Sequence, residues 1–192
     1  MKKNFRATTG LAPVPVVMVS CGDMEISDII TIAWVGTVNS EPPMLSVSIR
    51  KSRLSYDLIE KSGEFVVNLV TKELLKICDG CGIVSGRDVD KFKKFSLNKE
   101  ASEKVSAPRI KESPVNLECV VKQKLELGSH DVFIAEIVNV SVDEKYVEKN
   151  GYFIPENELV GYVQNRYVST GETLGAFGFS VKKIKNSPEF LK

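Results

Sequence analysis

The segment Met44–Tyr56 holds residue types suited to binding a single phosphate group. Its first half alternates as a strand does, so Ser48 and Arg50 fall on the same face. A helix is predicted to follow directly, with Ser52 as its N-cap and Ser55 in its first turn. Free N–H groups at the helix start, hydroxyls and a guanidinium together favour a phosphate. On residue types alone, a capped helix with solvated basic side chains is the commoner explanation.

A planar ligand is suggested by the segment that precedes this one. The single tryptophan, Trp34, stands just before Gly36 and Thr37. Backbone N–H groups at a glycine can approach a flat ring closely because no side chain intervenes. A tryptophan in an apolar strand is by default a core or interface residue, so the glycine and threonine beside it are what point to a ligand.

The cysteines offer a second kind of chemistry. Cys78 and Cys81 form a C-x-x-C pair, which suits either a redox couple or half of a zinc site. The remaining candidate ligands, Cys21, Cys119 and the single His130, are remote and lack paired spacing, so no metal site is predicted. A helix is predicted to run into the C-x-x-C pair, which differs from the strand, pair and helix order of thioredoxin-like proteins.

Familiar nucleotide and nucleophile motifs are absent from the sequence. Gly80–Gly86 approaches G-x-G-x-x-G but has Ser85 where the third glycine belongs, and it does not join a strand to a helix. No P-loop is present. A serine triad would have to use His130, with no nucleophile elbow to support it.

The elements that must position these residues are mostly strands. Alternating or β-branched patterns predict strands over Pro15–Ser20, Ile29–Val35, Met44–Ile49, Glu64–Val70, Leu117–Leu127 and Val132–Val142. The last two form a predicted antiparallel hairpin. Short helices are predicted after the caps Ser52, Thr71 and Asp88. Many strands without regular strand and helix alternation favour a mainly β fold, an antiparallel barrel with helical insertions.

Length and composition limit the function classes. The chain has 192 residues, of which 43% are hydrophobic and 27% charged, as expected of one folded domain. Lys and Arg number 26 against 25 Asp and Glu, so the net charge of +1 predicts neither nucleic-acid nor membrane-surface binding. The basic N-terminus meets Thr8–Gly10 and Pro13 before any signal-like apolar run, and we expect a cytoplasmic protein without a membrane span.

Four segments in the same order carry a resemblance to a known family. Thr31–Thr37, Ser48–Ser55, Ser85–Phe92 and Gly128–Glu136 together resemble the flavin reductase-like FMN-binding split-barrel family, and most closely its flavoredoxin branch. The resemblance covers roughly residues 10–170 of a single domain, 1–192, and leaves 171–192 as a C-terminal extension. It implies a split β-barrel and a homodimer with FMN in a groove near the subunit interface.

The resemblance also implies which residues hold the cofactor. The ring is expected beside Trp34 and the backbone of Gly36 and Thr37. The phosphate and ribityl chain are expected beside Ser48, Arg50 and Ser55, with Lys51 and Ser52 as lesser candidates. The full set implied is Asp28, Trp34, Gly36, Thr37, Ser48, Ile49, Arg50, Lys51, Ser52, Ser55, Ser85, Lys91, His130 and Tyr162. No catalytic side chain is predicted.

Several of these residues have a more specific expectation. Lys91 and His130 are expected close to the flavin or its phosphate, where a lysine would stabilise the reduced, anionic ring. Tyr162 is expected to cover the ring. Asp28 stands where flavoredoxins more often carry asparagine, and an ionised carboxylate cannot donate a hydrogen bond to the ring. Ser55 replaces a threonine and keeps the hydroxyl.

The main functional hypothesis is an FMN-binding oxidoreductase that takes a hydride from NAD(P)H, or electrons from a redox partner, and passes them to an acceptor. One alternative is a pure electron carrier without nicotinamide turnover. Another is a non-enzymatic module that binds a flavin or another phosphorylated ligand. A weaker idea makes Cys78 and Cys81 a relay for electrons from the flavin.

Overall fold

The computed structural model describes residues 1–147 and 158–181. Its strands are β1 (Val14–Pro15), β2 (Val17–Gly22), β3 (Ser27–Ile32), β4 (Val35–Ser40), β5 (Pro43–Ile49), β6 (Glu64–Leu69), β7 (Lys99–Glu100), β8 (Arg109–Ile110), β9 (Val115–Glu126), β10 (Asp131–Val142), β11 (Val160–Val163) and β12 (Arg166–Ser169). Its α-helices are α1 (Leu54–Ser62), α2 (Leu75–Ile83) and α3 (Lys91–Lys94), and short 3-10 turns cover Glu144–Tyr146 and Phe179–Val181.

Seven of the strands form one antiparallel sheet with the order β3-β2-β6-β9-β10-β5-β4. The two edge strands, β3 and β4, are separated along the chain by Ala33 and Trp34 alone. So short a link spans roughly 10 Å when extended. The sheet must therefore curl until its edges come close, although β3 and β4 are not paired in it. This curled sheet is the predicted split barrel.

The interior of the barrel is filled by alternate residues of its strands. Val19 and Val47 lie inside with the aromatic rings of Phe65 and Phe133. The opposite face of β2 is also buried, because Met18 packs with residues of α2 and α3 in a second apolar cluster. Burial on both faces explains why β2 is an almost continuous apolar run.

The long hairpin was predicted correctly. Strands β9 and β10 have 12 residues each and pair antiparallel along their length, with two register shifts. The predicted strand Ile29–Val35 is wrong in one respect, because β3 ends at Ile32 and Trp34 lies in the link to β4. The polar connection 96–114 carries only the two-residue strands β7 and β8, which pair with each other.

The predicted helix caps were largely wrong. Helix α1 begins at Leu54, and its N-cap, Arg53, makes no side-chain hydrogen bond, so Ser52 is not the cap. Helix α2 begins at Leu75 rather than directly after Thr71. For α3 the capping carboxylate belongs to Asp90, not Asp88, and it accepts the N–H of Lys93. Local hydroxyl and carboxylate patterns recur in turns, so they do not fix helix starts to the residue.

Among the described residues, no helix is long and apolar enough to cross a membrane.

Candidate functional site

The outer face of β5 carries serines, while its inner face is apolar. Leu45, Val47 and Ile49 are buried in the barrel, whereas Ser46 and Ser48 alternate with them and are half-buried. Ile49, predicted as a contact, is therefore a core side chain that can offer only its backbone. Period-two alternation predicted Ser48 on the outer face; Ser46, two residues earlier, follows by the same rule and was missed.

Trp34 is fixed against the end of β5 through its backbone. Its carbonyl accepts the N–H of Ser48 at 3.0 Å. The indole ring is 46% exposed, so it belongs neither to the barrel core nor to the second cluster. Gly36 lies beyond it in β4, and a Cβ added there would have no neighbour within 4 Å. The glycine backbone therefore faces open space beside the indole.

His130 lies against Trp34 although the two are distant in the sequence. Their ring centroids are 4.6 Å apart with planes inclined at 47°. Nδ1 of His130 is 2.9 Å from the hydroxyl of Ser129. Burial, and then the charge of Arg50, lower the pKa of His130 below its usual 6.5. The imidazole is therefore neutral at pH 7 and offers a flat face next to an indole.

A groove of about 450 Å³ opens beside this pair of rings. We call it the Trp34 groove. It is lined by Thr9, Leu11, Val14, Ala33, Trp34, Val35, Gly36, Ser46 and Ser48. Its lining combines apolar residues with the two serines of β5. Such a groove suits a planar ring with polar edges.

The corner where β5 passes into α1 lies at the end of the same strand. Arg50 is exposed just past β5 and takes part in no salt bridge in the part of the chain that the structure describes. The loop containing Ser85 reaches this corner, because Nε of Arg87 donates to the carbonyl of Ser52 at 3.2 Å. Ser52, Ser85 and Arg50 are therefore brought to one end of α1. Arg87, which the sequence analysis missed, also pairs with Asp57 at 2.7 Å.

Lys51 differs from Arg50 in that carboxylates already neutralise it. Its ammonium lies 3.2 Å from Glu126 and 3.3 Å from Asp131. The Asp131 carboxylate is fully buried and also accepts the hydroxyl of Tyr56 at 2.6 Å. Lys51 is thus committed to holding this hairpin end, which makes it a poor phosphate ligand.

Asp28, Ser55 and Lys91 form a buried cluster outside the lining of the Trp34 groove. The Lys91 ammonium is 3.2 Å from Asp28, and the two side chains are only 3% and 2% exposed. The hydroxyl of Ser55 donates to the same carboxylate at 2.5 Å, and Lys91 also donates to the carbonyl of Ile29. The charge of the Asp28 carboxylate is therefore neutralised by Lys91.

Gly86 belongs to this cluster because of its backbone. A Cβ at this position would lie 2.3 Å from Oδ1 of Asp28, which is too close for any other residue without rearrangement. Gly86 ends the segment Gly80–Gly86, which only approaches a dinucleotide motif. Here a glycine is required because the backbone packs closely against the buried Asp28 carboxylate.

The remaining predicted residues lie on either side of the groove. Thr37 is exposed on β4 and lines a smaller depression of about 190 Å³. Tyr162, on β11, lines a separate cavity of about 280 Å³ that shares Ala33 with the Trp34 groove. Neither residue is in the groove lining, and their contact with a cofactor stays a prediction.

The C-x-x-C pair lies in an apolar environment. Cys78 and Cys81 lie inside α2 and are buried in the second apolar cluster. Burial raises the pKa of each thiol to about 12, so neither is a thiolate at neutral pH. No group of three or more metal-ligating side chains occurs within residues 1–147 and 158–181.

Comparisons with known proteins agree with this fold. A family model described as "Flavin reductase like domain" matches residues 9–171. Flavoredoxin of Desulfovibrio vulgaris (Miyazaki F) superposes with a TM-score of 0.88 at 31% identity, over 95% of this chain and 100% of that one. A protein of Archaeoglobus fulgidus is 41% identical over 118 residues, 62% of this chain and 67% of its own.

One further relative is a larger protein. The high molecular weight rubredoxin of Moorella thermoacetica is 29% identical over 106 residues, which are 55% of this chain and 45% of that protein. The match thus spans less than half of that relative.

The fold is a flavin-binding split barrel. The chain belongs to the flavin reductase-like family, as the sequence predicted.

Proposed function

We propose that this protein binds FMN in the Trp34 groove and acts as an oxidoreductase that passes a hydride or electrons from NAD(P)H or a redox protein to an acceptor. The observation that carries the proposal is a groove lined by Trp34 and Ser48 in a member of the flavin reductase-like family. His130 lies against Trp34, and Arg50 follows Ser48 by two residues at the end of the same strand. No one of these residues would suffice alone.

FMN supplies the redox chemistry, because its isoalloxazine ring accepts and releases hydride or electrons. In this proposal Trp34 forms one wall for the ring, and the open backbone at Gly36 approaches its edge, with Thr37 as the next residue of β4. Ser48 and Arg50 bind the ribityl chain and phosphate at the start of α1, with Ser52 and Ser85 beside them. A neutral His130 holds the indole in place without adding charge next to the ring.

The buried cluster has a different role in the proposal. Lys91 is the counter-ion of Asp28, so the phosphate charge falls to Arg50 rather than to Lys91 or Lys51. Ser55 and Gly86 complete the wall behind the phosphate corner. The ring contact expected of Lys91 would require its ammonium to leave a buried carboxylate, which is costly.

A homodimer and a redox partner are part of the proposal. Large apolar side chains border the Trp34 groove, with Leu11 84% and Trp34 46% exposed. Exposed apolar surface of this kind favours cover by a second subunit. The relative named as a high molecular weight rubredoxin supports a redox protein as an electron donor or acceptor.

An absorption spectrum of the purified protein, followed by FMN titration of the apoprotein, tests the proposal. We expect a flavin spectrum and FMN binding that Trp34→Ala weakens. Val38→Ala is the matched control, because Val38 is a 52% exposed apolar residue on β4 outside the groove lining. Equal FMN affinity in the two variants would place the flavin elsewhere.

Anaerobic titration with NADH and NADPH separates the functional alternatives. Flavin bleaching by either nucleotide indicates a reductase, and bleaching only through an added redox protein indicates an electron carrier. Failure to bind FMN at all would leave the non-enzymatic binding module.

A further inference from the structure

Six side chains form a closed ring of polar contacts at the end of the β9–β10 hairpin, beside the phosphate corner. They come from the residue after Arg50, from helix α1 and from the two hairpin strands. In order around the ring they are Lys51, Asp131, Tyr56, Glu60, Lys124 and Glu126. Each carboxylate in it lies between two groups that can donate a hydrogen bond. We call this set the hairpin ring.

Only part of the hairpin ring is withdrawn from solvent. Tyr56 is 5% exposed and the Asp131 side chain is fully buried, whereas the side chains of Lys51, Glu60 and Glu126 are about half exposed or more. Exposed ion pairs contribute little stability because water screens them. The phenol of Tyr56 lies 2.6 Å from Asp131 but 3.4 Å from Glu60, so its one proton is donated to the buried carboxylate. This buried bond to a charged group therefore contributes most of what the ring stabilises.

The protonation states of the buried pair are fixed by the same hydrogen bond. It is the largest cause that lowers the pKa of Asp131, and it raises the pKa of Tyr56. At neutral pH the carboxylate is therefore ionised and the phenol keeps the proton that it donates. The aromatic ring of Tyr56 also packs edge-on against Phe133, with centroids 5.3 Å apart, so packing helps to hold the hydroxyl in place.

Two residues of the proposed FMN site stand directly beside the hairpin ring. Arg50 precedes Lys51 and His130 precedes Asp131 in the sequence. In the antiparallel pairing of β5 with β10, Asp131 lies opposite Ile49. The next position in this register puts Arg50 opposite His130, and the charge of Arg50 contributes to the lowered pKa of the imidazole. The hairpin ring therefore holds the two stretches of backbone from which these site residues project.

We propose that Tyr56 is a positioning residue for the FMN site: by donating to Asp131 it holds the hairpin end against α1 and so sets the positions of the two neighbouring site residues. Tyr56 is not in the lining of the Trp34 groove, so it acts through its neighbours rather than by contact with the cofactor. The inference rests on the proposed function, because it assigns Tyr56 a role in FMN binding. Sites of this kind depend on supporting residues to hold the binding groups in place.

Tyr56→Phe is the variant that tests this role, since it removes only the hydroxyl and keeps the ring packed on Phe133. The buried Asp131 carboxylate then lacks its main donor, so the hairpin end should loosen and His130 should meet more water. Because burial is the largest cause of its lowered pKa, we expect the pKa of His130 to rise towards 6.5 in the apoprotein. NMR titration measures this value directly, as the chain has a single histidine.

FMN affinity is the second readout. We expect Tyr56→Phe to raise the Kd for FMN by up to about ten-fold, because part of the loss of one hydrogen bond to a charged group falls on the site. Asp131→Asn keeps the shape but removes the charge from the bond, and it should weaken FMN binding too. Tyr146→Phe is the matched control, since it removes a phenol hydroxyl that donates to Glu158 at 2.5 Å, outside the hairpin ring. Thermal melting shows that each variant is folded.

A purely structural role for Tyr56 predicts a different result, namely a lower melting temperature with both readouts unchanged. Folded Tyr56→Phe with the His130 pKa or the FMN affinity of the wild type would therefore overturn the proposal. So would unchanged FMN affinity in folded Asp131→Asn, or equal changes in Tyr146→Phe. The titration of His130 needs no FMN. A protein that fails to bind FMN, but whose His130 pKa still moves in Tyr56→Phe, would refute the proposed function and leave the hairpin ring as the device that positions His130.

Discussion

Replacing Arg50 with alanine tests the charge assignment at the phosphate corner. Arg50 is exposed just past β5 and has no salt-bridge partner among the residues that the structure describes, so its guanidinium is available to a ligand. Loss of a hydrogen bond to a charged group costs about 1.5–3 kcal/mol. Arg50→Ala should therefore raise the Kd for FMN roughly 10- to 150-fold. The fold should be unaffected, because the side chain is outside both apolar clusters.

Titration of apoprotein with FMN, followed by quenching of flavin fluorescence, measures this change. Lys51→Ala is the matched control, since Lys51 is the next residue and is already paired with Glu126 and Asp131. We expect a much smaller effect on FMN affinity from this variant. An unchanged titration curve for Arg50→Ala would refute the reasoning, and a larger loss in Lys51→Ala would move the phosphate towards the hairpin end.

Three further predictions concern the buried and aromatic groups. Lys91→Met leaves Asp28 charged and unpaired, so urea unfolding should show that the free energy of unfolding falls by about 3–5 kcal/mol. Adding Asp28→Asn should restore most of this stability. An unchanged unfolding midpoint in Lys91→Met would exclude the buried pair. The single imidazole, His130, should titrate by NMR below 6.5, and because the unfolded chain binds that proton more readily, folding stability falls as the pH drops below this value. The thiols of Cys78 and Cys81 should resist Ellman's reagent in the native protein at pH 8, because burial raises the pKa of each to about 12. Rapid labelling would contradict their burial.

The prediction for Lys91 shows how the structure changes an expectation. From the sequence, Lys91 was expected to lie close to the flavin or its phosphate, where its charge would stabilise the reduced ring. In the structure its ammonium neutralises a carboxylate that is only 2% exposed, so its replacement should destabilise the fold. A lysine among Lys93 and Lys94 in a short helix gives no local sign of this difference, because the carboxylate partner is on β3.

The sequence by itself determined the parts of the fold that depend on neighbouring residues. Alternation along Leu117–Leu127 and Val132–Val142, with a glycine turn between them, was enough to predict the hairpin of β9 and β10. Alternation also placed Ser48 on the outer face of β5. The order of four short motifs was enough to identify the family.

Only the tertiary structure decided which of the candidate residues meet and which are already paired with an opposite charge. The barrel brings His130 onto Trp34 and Asp131 onto Lys51. Among the described residues, no carboxylate pairs with Arg50. Contacts of this kind join strands that are remote along the chain, so no local pattern encodes them. Lysine and arginine look alike as phosphate ligands in a sequence, and they differ here because a folded chain fixes where each counter-charge lies.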